Sequence, residues 1–389
     1  MPFISDKPVI LFLDKQRFIC KVCNKSFSTK TTEVRKYSNT SKNLRAGIIK
    51  KLSNQLTMKQ IAQSYAISTN TVRRVQYELS KTLVRPKSLP AYMCFDELSS
   101  TSDSISNMSF VYSDALTHQI QDILQGRTNN IIKNYFLYYS YKERCDVKAI
   151  VIDMNSGYKC LIRELFPNAK IIIDRFHIVQ LVNRAFNKYR ISYMNSIKDK
   201  DLYRQLKYYW KNLLMKYDNL DNSTYKKFKH FKYITTEDNM NYLIKQDSGL
   251  YKCYWLVQEL REALEQDDFN KFNTLINDKS TLPRYMFTAI KTLRKYKRQI
   301  KNTMYYNGLS NGPLEGINNK IKVIKRISYG YRSFCNFRGK ILLVFSLFSS
   351  NTDKKPRYSK EERLAILDKR KELKLNRKNK KKTILFNIA

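Results

Sequence analysis

Two continuous apolar runs, VKAIVIDM at 147–154 and AKIIIDRF at 169–176, constrain this chain more than any other feature. Neither alternates polar with apolar residues, so both predict strands buried on two faces, as in a parallel sheet covered by helices. Each run closes on an aspartate, Asp153 and Asp174. A carboxylate at the end of a buried strand is costly unless it is hydrogen-bonded, paired or bound to a cation. An earlier strand candidate, AYMCFDEL at 91–98, carries a third such acid, Asp96.

Between these runs lie two further strand candidates, MSFVYSDAL (108–116) and HQIQDILQG (118–126), then a helix-like segment, NNIIKNYFLYYSYKER. The order strand–strand–strand–helix–strand–helix–strand is that of a ribonuclease-H-like α/β fold. In that fold the first and fourth strands are neighbours, so Asp96 and Asp153 are expected to face one another. A third acid from a later helix completes an oxygen-rich site for two divalent cations about 4 Å apart, a clamp for phosphoryl transfer. Glu315 in GPLEGINNKIKVIKRI is the candidate, one acid at the head of a basic helix. Pro313 suits the first helical position, with Asn311 or Gly312 as cap. Leu314, Ile317, Ile321 and Ile324 form an apolar stripe, and Glu315, Asn319, Lys322 and Arg326 share a neighbouring face. Glu315 can equally be a capping glutamate favoured by the helix dipole. Asp174 is either a neighbour of the metal site or a partner of Arg175. His177, one turn beyond it, contacts substrate or is structural.

The chain has 389 residues and a formal charge of +40, from 73 Lys+Arg against 33 Asp+Glu. That surplus favours polyanions, nucleic acid first. A membrane role is excluded on length, because the longest apolar run, ILLVFSLF at 341–348, cannot span a bilayer. The N-terminal MPFISDKPVI does not read as a signal peptide, and seven scattered cysteines suit a reducing cytoplasm.

The N-terminal segment (1–33) holds one C-x₂-C knuckle, Cys20 and Cys23 in RFICKVCNKSF. Residues 42–83 predict a helix-turn-helix with Leu56, Ile61, Ala62, Ile67 and Val72 at its apolar positions. Thr57 caps its first helix, residues 66–68 turn, and Thr69, Asn70, Arg73 and Arg74 open the second helix, where side chains reach DNA. After the linker VRPKSLP come the catalytic core in two parts, 91–180 and 308–348, and only helical patterns from His177 to about Asn307. Helix and short strands are expected over 313–345, then a basic, phosphate-binding tail at 349–389. The expected class is therefore multidomain α+β, with an all-α insertion at 181–307 interrupting the core.

The segments CFDEL, VIDM with Tyr158, FPNAKIIIDRFHIVQL and SNGPLEGINNKIKVIKRISYGYRSFCNF resemble the transposases of the ISL-three family of bacterial insertion sequences, over about residues 12 to 345. These are DDE-type enzymes with a zinc-ribbon-like segment and a helix-turn-helix at the N-terminus. The resemblance implies Asp96, Asp153 and Glu315 as the triad, with Mg²⁺ or Mn²⁺ as cofactor. It also implies terminal inverted repeats and target DNA as substrates, and a homo-oligomer that joins two ends. The 162 residues separating Asp153 from Glu315 fit its helical insertion. The chain departs from the family in having one Cys pair rather than two. Structural zinc takes four ligands, so no stable zinc site is expected from this chain alone.

Tyr329 and Tyr331, at the tip following the basic helix, are expected to stack on exposed bases or pack in the core. Lys325 and Arg332 flank them as further DNA-binding candidates. Trp210 and Trp255 fall in the insertion and are expected in its core. If Lys322 and Arg326 hold phosphates, alanine at each weakens binding to every DNA sequence and lowers the salt slope by about one. An unchanged slope in a salt titration removes them from the DNA path.

Overall fold

The computed structural model describes residues 3–4, 7–8, 11–35, 38, 40–154, 157–278 and 280–346. The basic tail expected at 349–389 lies outside them. Two short hairpins come first, β1 (Phe3–Ile4) with β2 (Lys7–Pro8) and β3 (Arg17–Ile19) with β4 (Ser26–Ser28). Three helices follow: α1 (Lys42–Leu52), α2 (Met58–Gln63) and α3 (Thr69–Thr82). Then come β5 (Tyr92–Ser99), β6 (Met108–Asp114), β7 (Ile120–Leu124), α4 (Asn129–Phe136), α5 (Tyr141–Cys145), β8 (Ala149–Ile152), α6 (Lys159–Leu165) and β9 (Lys170–Ile173). The helical stretch comprises α7 (Arg175–Ser196), α8 (Lys200–Tyr208), α9 (Trp210–Leu213), α10 (Thr236–Ile244), α11 (Ser248–Glu265), α12 (Phe269–Asn277), α13 (Arg284–Lys295) and α14 (Lys297–Tyr305). A small hairpin, β10 (Lys226–Lys227) with β11 (Tyr233–Ile234), interrupts it, so the region is not wholly helical as expected. The last helices are α15 (Gly312–Ile327) and α16 (Phe334–Ser346).

The central sheet is mixed, in the order β7-β6-β5-β8-β9. β6 and β7 are antiparallel, whereas β5 with β8 and β8 with β9 are parallel. All four residues of β8 are buried, as its unbroken apolar sequence requires.

The chain divides into two compact units, and the boundary falls inside β5, after Cys94. The first contains α1–α3, most of β5, β6, β7, α4, α15 and α16. Thr57 accepts the Gln60 N–H while the Gln60 side chain accepts the Thr57 N–H, a reciprocal cap that starts α2. Ala66 turns the chain with φ at 49°, and Ser68 caps α3. Ile48, Leu52, Ile61, Ala62, Val72 and Val75 close the core of this trihelical bundle together with Leu343 of α16. α16 occupies sequence where short strands were expected. Its run of apolar residues has no period that separates strand from helix, and it is buried against both α3 and β7. Arg338 of α16 forms an ion pair with the buried Asp122 of β7, which also accepts the Tyr135 hydroxyl at 2.8 Å.

Lys340 is the other polar fastening on α16. Its buried amine donates to the Leu52 carbonyl at the end of α1 and, at 3.0 Å, to that of Asn54. Gly339 beside it is required by close packing, since a Cβ there would lie 1.9 Å from the Ser80 hydroxyl and 3.2 Å from the Ser80 Cα.

The second unit spans Ala91–Cys94 and Arg144–Gly312. β9 is an edge strand, and α14 covers its open side. The Thr303 hydroxyl donates to the Ile173 carbonyl (2.7 Å) and accepts the Ile173 N–H, while Asn302 donates to Ile171. Trp255 is packed among Tyr217, Tyr251 and Tyr254, whereas Trp210 is exposed.

Burial pushes the Lys340 ammonium down from 10.5 to about 8. Between those values the unfolded chain binds the extra proton, so folding stability contributed by this site rises as pH rises from 8 towards 10.5. Denaturant titrations of wild type and Lys340→Met at pH 7.5 and 9.5 should show a relative gain for wild type at the higher pH. A difference independent of pH would rule out the buried ammonium.

Candidate functional site

Asp96 within β5 and the strand-end Asp153 and Asp174 are each held by a specific partner. In the first unit, Asp96 lies in β5, half-buried, and accepts from the Asn318 side-chain amide of α15 at 2.7 Å. Asn318 is buried on the inner face of α15 beside Leu314, Ile321 and Ile324. Its amide oxygen is also buried and has no hydrogen-bond partner among the described residues. Glu315, one turn earlier in α15, is exposed. Lys325 near the other end of α15 donates to the carbonyls of Ser99 and Ser100, at 3.0 and 2.8 Å, so it fastens the helix to the end of β5. Lys322, Arg326 and Asn319 are exposed.

In the second unit, Asp153 follows β8 directly. It accepts from His177 Nε2 at 2.9 Å and, at a long 3.5 Å, from the Asn311 side chain. Asp174 follows β9 and caps α7 by position, with 5% exposure. Burial raises its carboxyl above the usual range, while His177 and the Asn311 backbone N–H act in the opposite direction. Of the two fates open to Asp174, pairing with Arg175 is not the one observed. Arg175 reaches Asp267 and the Leu264 carbonyl instead. The second unit thus gathers Asp153, Asp174, His177 and Asn311.

Sequence reasoning missed Asn318. It is a polar residue on the side of the apolar stripe, three positions after Glu315, and that interruption was its only signal. Asn311 was read as a helix cap, and its contact with Asp153 was not anticipated. Among the described residues, no group of three or more His, Cys, Asp or Glu side chains is close enough to hold an ion.

At the N-terminus, Cys20 and Cys23 sit on the turn between β3 and β4, where Phe18 and Phe27 stack with centroids 5.6 Å apart. The backbone N–H groups of Cys23 and Val22 hold the Cys20 thiol below its usual value. On α3, Thr69, Asn70, Arg73 and Arg74 are all exposed at the helix start. Beyond α15, Tyr329 is 97% exposed, Arg332 is exposed, and Tyr331 packs on Phe337 with its hydroxyl bonded to Ser328. No described helix is long and apolar enough to cross a membrane.

Comparison with known proteins adds three findings. A segment of 115 residues is 37% identical to a protein named ATP-dependent protease from Lactococcus lactis subsp. lactis. That match covers 30% of this chain and spans 37% of that protein's length, and this sequence has no G-x-x-x-x-G-K phosphate loop. Over 352 residues the chain is 23% identical to the transposase for insertion sequence element IS1001 from Bordetella parapertussis, covering 88% of this chain and 82% of that one. The ISL3 transposase family model matches residues 93–341, from the strand that carries Asp96 to the middle of α16, and this chain therefore belongs to the ISL3 family of transposases.

Proposed function

We propose that this chain binds the terminal inverted repeats of an insertion sequence and cuts and joins DNA strands with a ribonuclease-H-like core. Asp96, Asp153 and Glu315 are its catalytic acids. One observation carries the reading. Cys94 of β5 pairs in register with Val151 of the parallel strand β8, and Asp96 and Asp153 each follow their member of that pair by two residues in sequence. Their carboxylates accept from Asn318 and Asn311, the two asparagines that bracket Glu315 in sequence.

The donors at these positions suit hard divalent cations such as Mg²⁺ or Mn²⁺: three carboxylates, and the unpartnered Asn318 amide oxygen beside Asp96. Ions held by Asp96, Asp153 and Glu315 would supply Lewis acidity to the attacking and leaving oxygens of the phosphodiester. The chain's own part is to orient its acids. Asn318 fixes the Asp96 carboxylate, and His177 fixes that of Asp153 by donating from Nε2. Asp174 stands behind His177 as support. Lys322, Arg326 and Asn319 on α15 meet the phosphates of the strand being cut, and Thr69, Asn70, Arg73 and Arg74 on α3 read the end sequence. A homo-oligomer on paired ends and a cytoplasmic, nucleoid-associated location follow from this activity. Cys20 and Cys23 supply two of the four ligands a structural zinc requires, so metal analysis of purified protein should find well below one tightly held zinc. A full equivalent would overturn that expectation.

A labelled end duplex incubated with Mg²⁺ or Mn²⁺ tests the whole reading. Wild type should cut and then join the freed 3′-hydroxyl to a target, while Asp153→Asn and Glu315→Gln should lower cleavage by at least about a thousandfold without loss of end binding. Binding without cleavage in wild type would reduce the chain to an occupant of the ends. Asn318→Ala should cost about 1–2 kcal/mol of stability in a denaturant titration and lower the affinity for activating metal. A variant with unchanged metal dependence would exclude Asn318 from the site.

A further inference from the structure

The sequence suggested that the turn after α15 works at the cleavage point, but its surroundings in the first unit connect it with the end-binding helices. A groove runs between α2, the start of α3 and this turn. Lys59, Thr69 and Arg73 line it on one side, and Tyr329 and Arg332 on the other. Among the described residues no Asp or Glu lines it, and none lines the adjoining hollow formed by Asn70, Arg73, Arg74, Tyr77 and Asn336.

The turn is closed by its own backbone and is followed by a helix packed on α3. Tyr329 has φ at 53° and Gly330 at 91°, and the Gly330 N–H donates to the Lys325 carbonyl at 2.9 Å. A tyrosine in the left-handed region is strained, and at 97% exposure it gains no packing in return. Directly after the turn, α16 locks onto α3. Gln76 donates to the Asn336 carbonyl at 3.0 Å, Gly339 lies against Ser80, and Leu343 enters the trihelical core.

We propose that the Ser328–Ser333 turn is a third contact element of the end-binding surface, in which Arg332 and Tyr329 grip the sugar-phosphate backbone of the duplex read by α3. The occupant is duplex DNA, because the walls carry cations and amides without a carboxylate and the α3 start presents base-reading side chains to the same groove. The inference rests on the end-binding part of the proposed function. It moves the turn from the cut strand to the recognition site.

The test uses the full chain, a duplex of the element's terminal inverted repeat and a scrambled duplex of equal length. Affinity and hydroxyl-radical footprints are measured for wild type, Tyr329→Ala, Arg332→Ala and Arg73→Ala. Both turn variants, whose exposed side chains leave thermal melting unchanged, should bind the end about tenfold more weakly. They should lose backbone protection next to the patch that Arg73→Ala disturbs. Wild-type affinity and an intact footprint in both turn variants, with the Arg73→Ala effect retained, would overturn this inference alone. An absence of preference for the end duplex in wild type would overturn the end-binding reading and this inference with it.

Discussion

Keeping carboxylates at the ends of buried strands is the constraint around which this molecule is organised. β8 and β9 are apolar because helices cover them, and an aspartate follows each one immediately. Charge in that position needs compensation on the spot. The compensation comes from far along the chain: Asn318 for Asp96, and Asn311 with His177 for Asp153. Asn311 in the second unit and Asn318 in the first thus each hold an acid laid down more than 150 residues earlier, and Glu315 lies between them in sequence.

Helix α16 extends this logic to the N-terminal helices. The three helices α1–α3 have an apolar core that includes Leu343, and Lys340 satisfies carbonyls at the end of α1. On its other flank α16 holds Asp122 of β7 through Arg338. The trihelical bundle is thus built together with α16 and β7, although a proline-bounded linker separates it from β7 in sequence. The half-buried Arg338 and the buried Lys340 are held by an ion pair in one case and by carbonyl dipoles in the other. Breaking either leaves a buried charge or uncapped carbonyls, a penalty larger than that for losing a surface contact.

Much of this could be read in advance, for identifiable reasons. The unbroken apolar runs ending at Asp153 and Asp174 announce strands whose length and burial need no context. The Thr57 cap and the residues from Ala66 to Ser68 likewise mark a local turn between helices. α16 was not legible, because an apolar run buried on two sides carries no period. The hairpin β10–β11 was too short to stand out among Lys and Tyr. Asp153 and Asp174 could be picked out as carboxylates needing partners from their positions after apolar runs. Asn318 and Lys325 could not, because their partners are 222 and 226 residues away and an Asn or Lys on a helix has no local signature of such a bond. Arg175 similarly looked like a partner for its neighbour Asp174 and instead reaches Asp267.

The central claim is that Asp96, Asp153 and Glu315 share divalent metal. The most direct measurement replaces Mg²⁺ with Fe²⁺ in the end-bound protein, adds ascorbate and peroxide, and maps where locally generated radicals cut the polypeptide. The account predicts three cleavage zones, around residues 96, 153 and 315, all suppressed together by excess Mg²⁺ and lost in Asp153→Asn. Cleavage confined to other segments, or zones at 96 and 153 without one at 315, would contradict it.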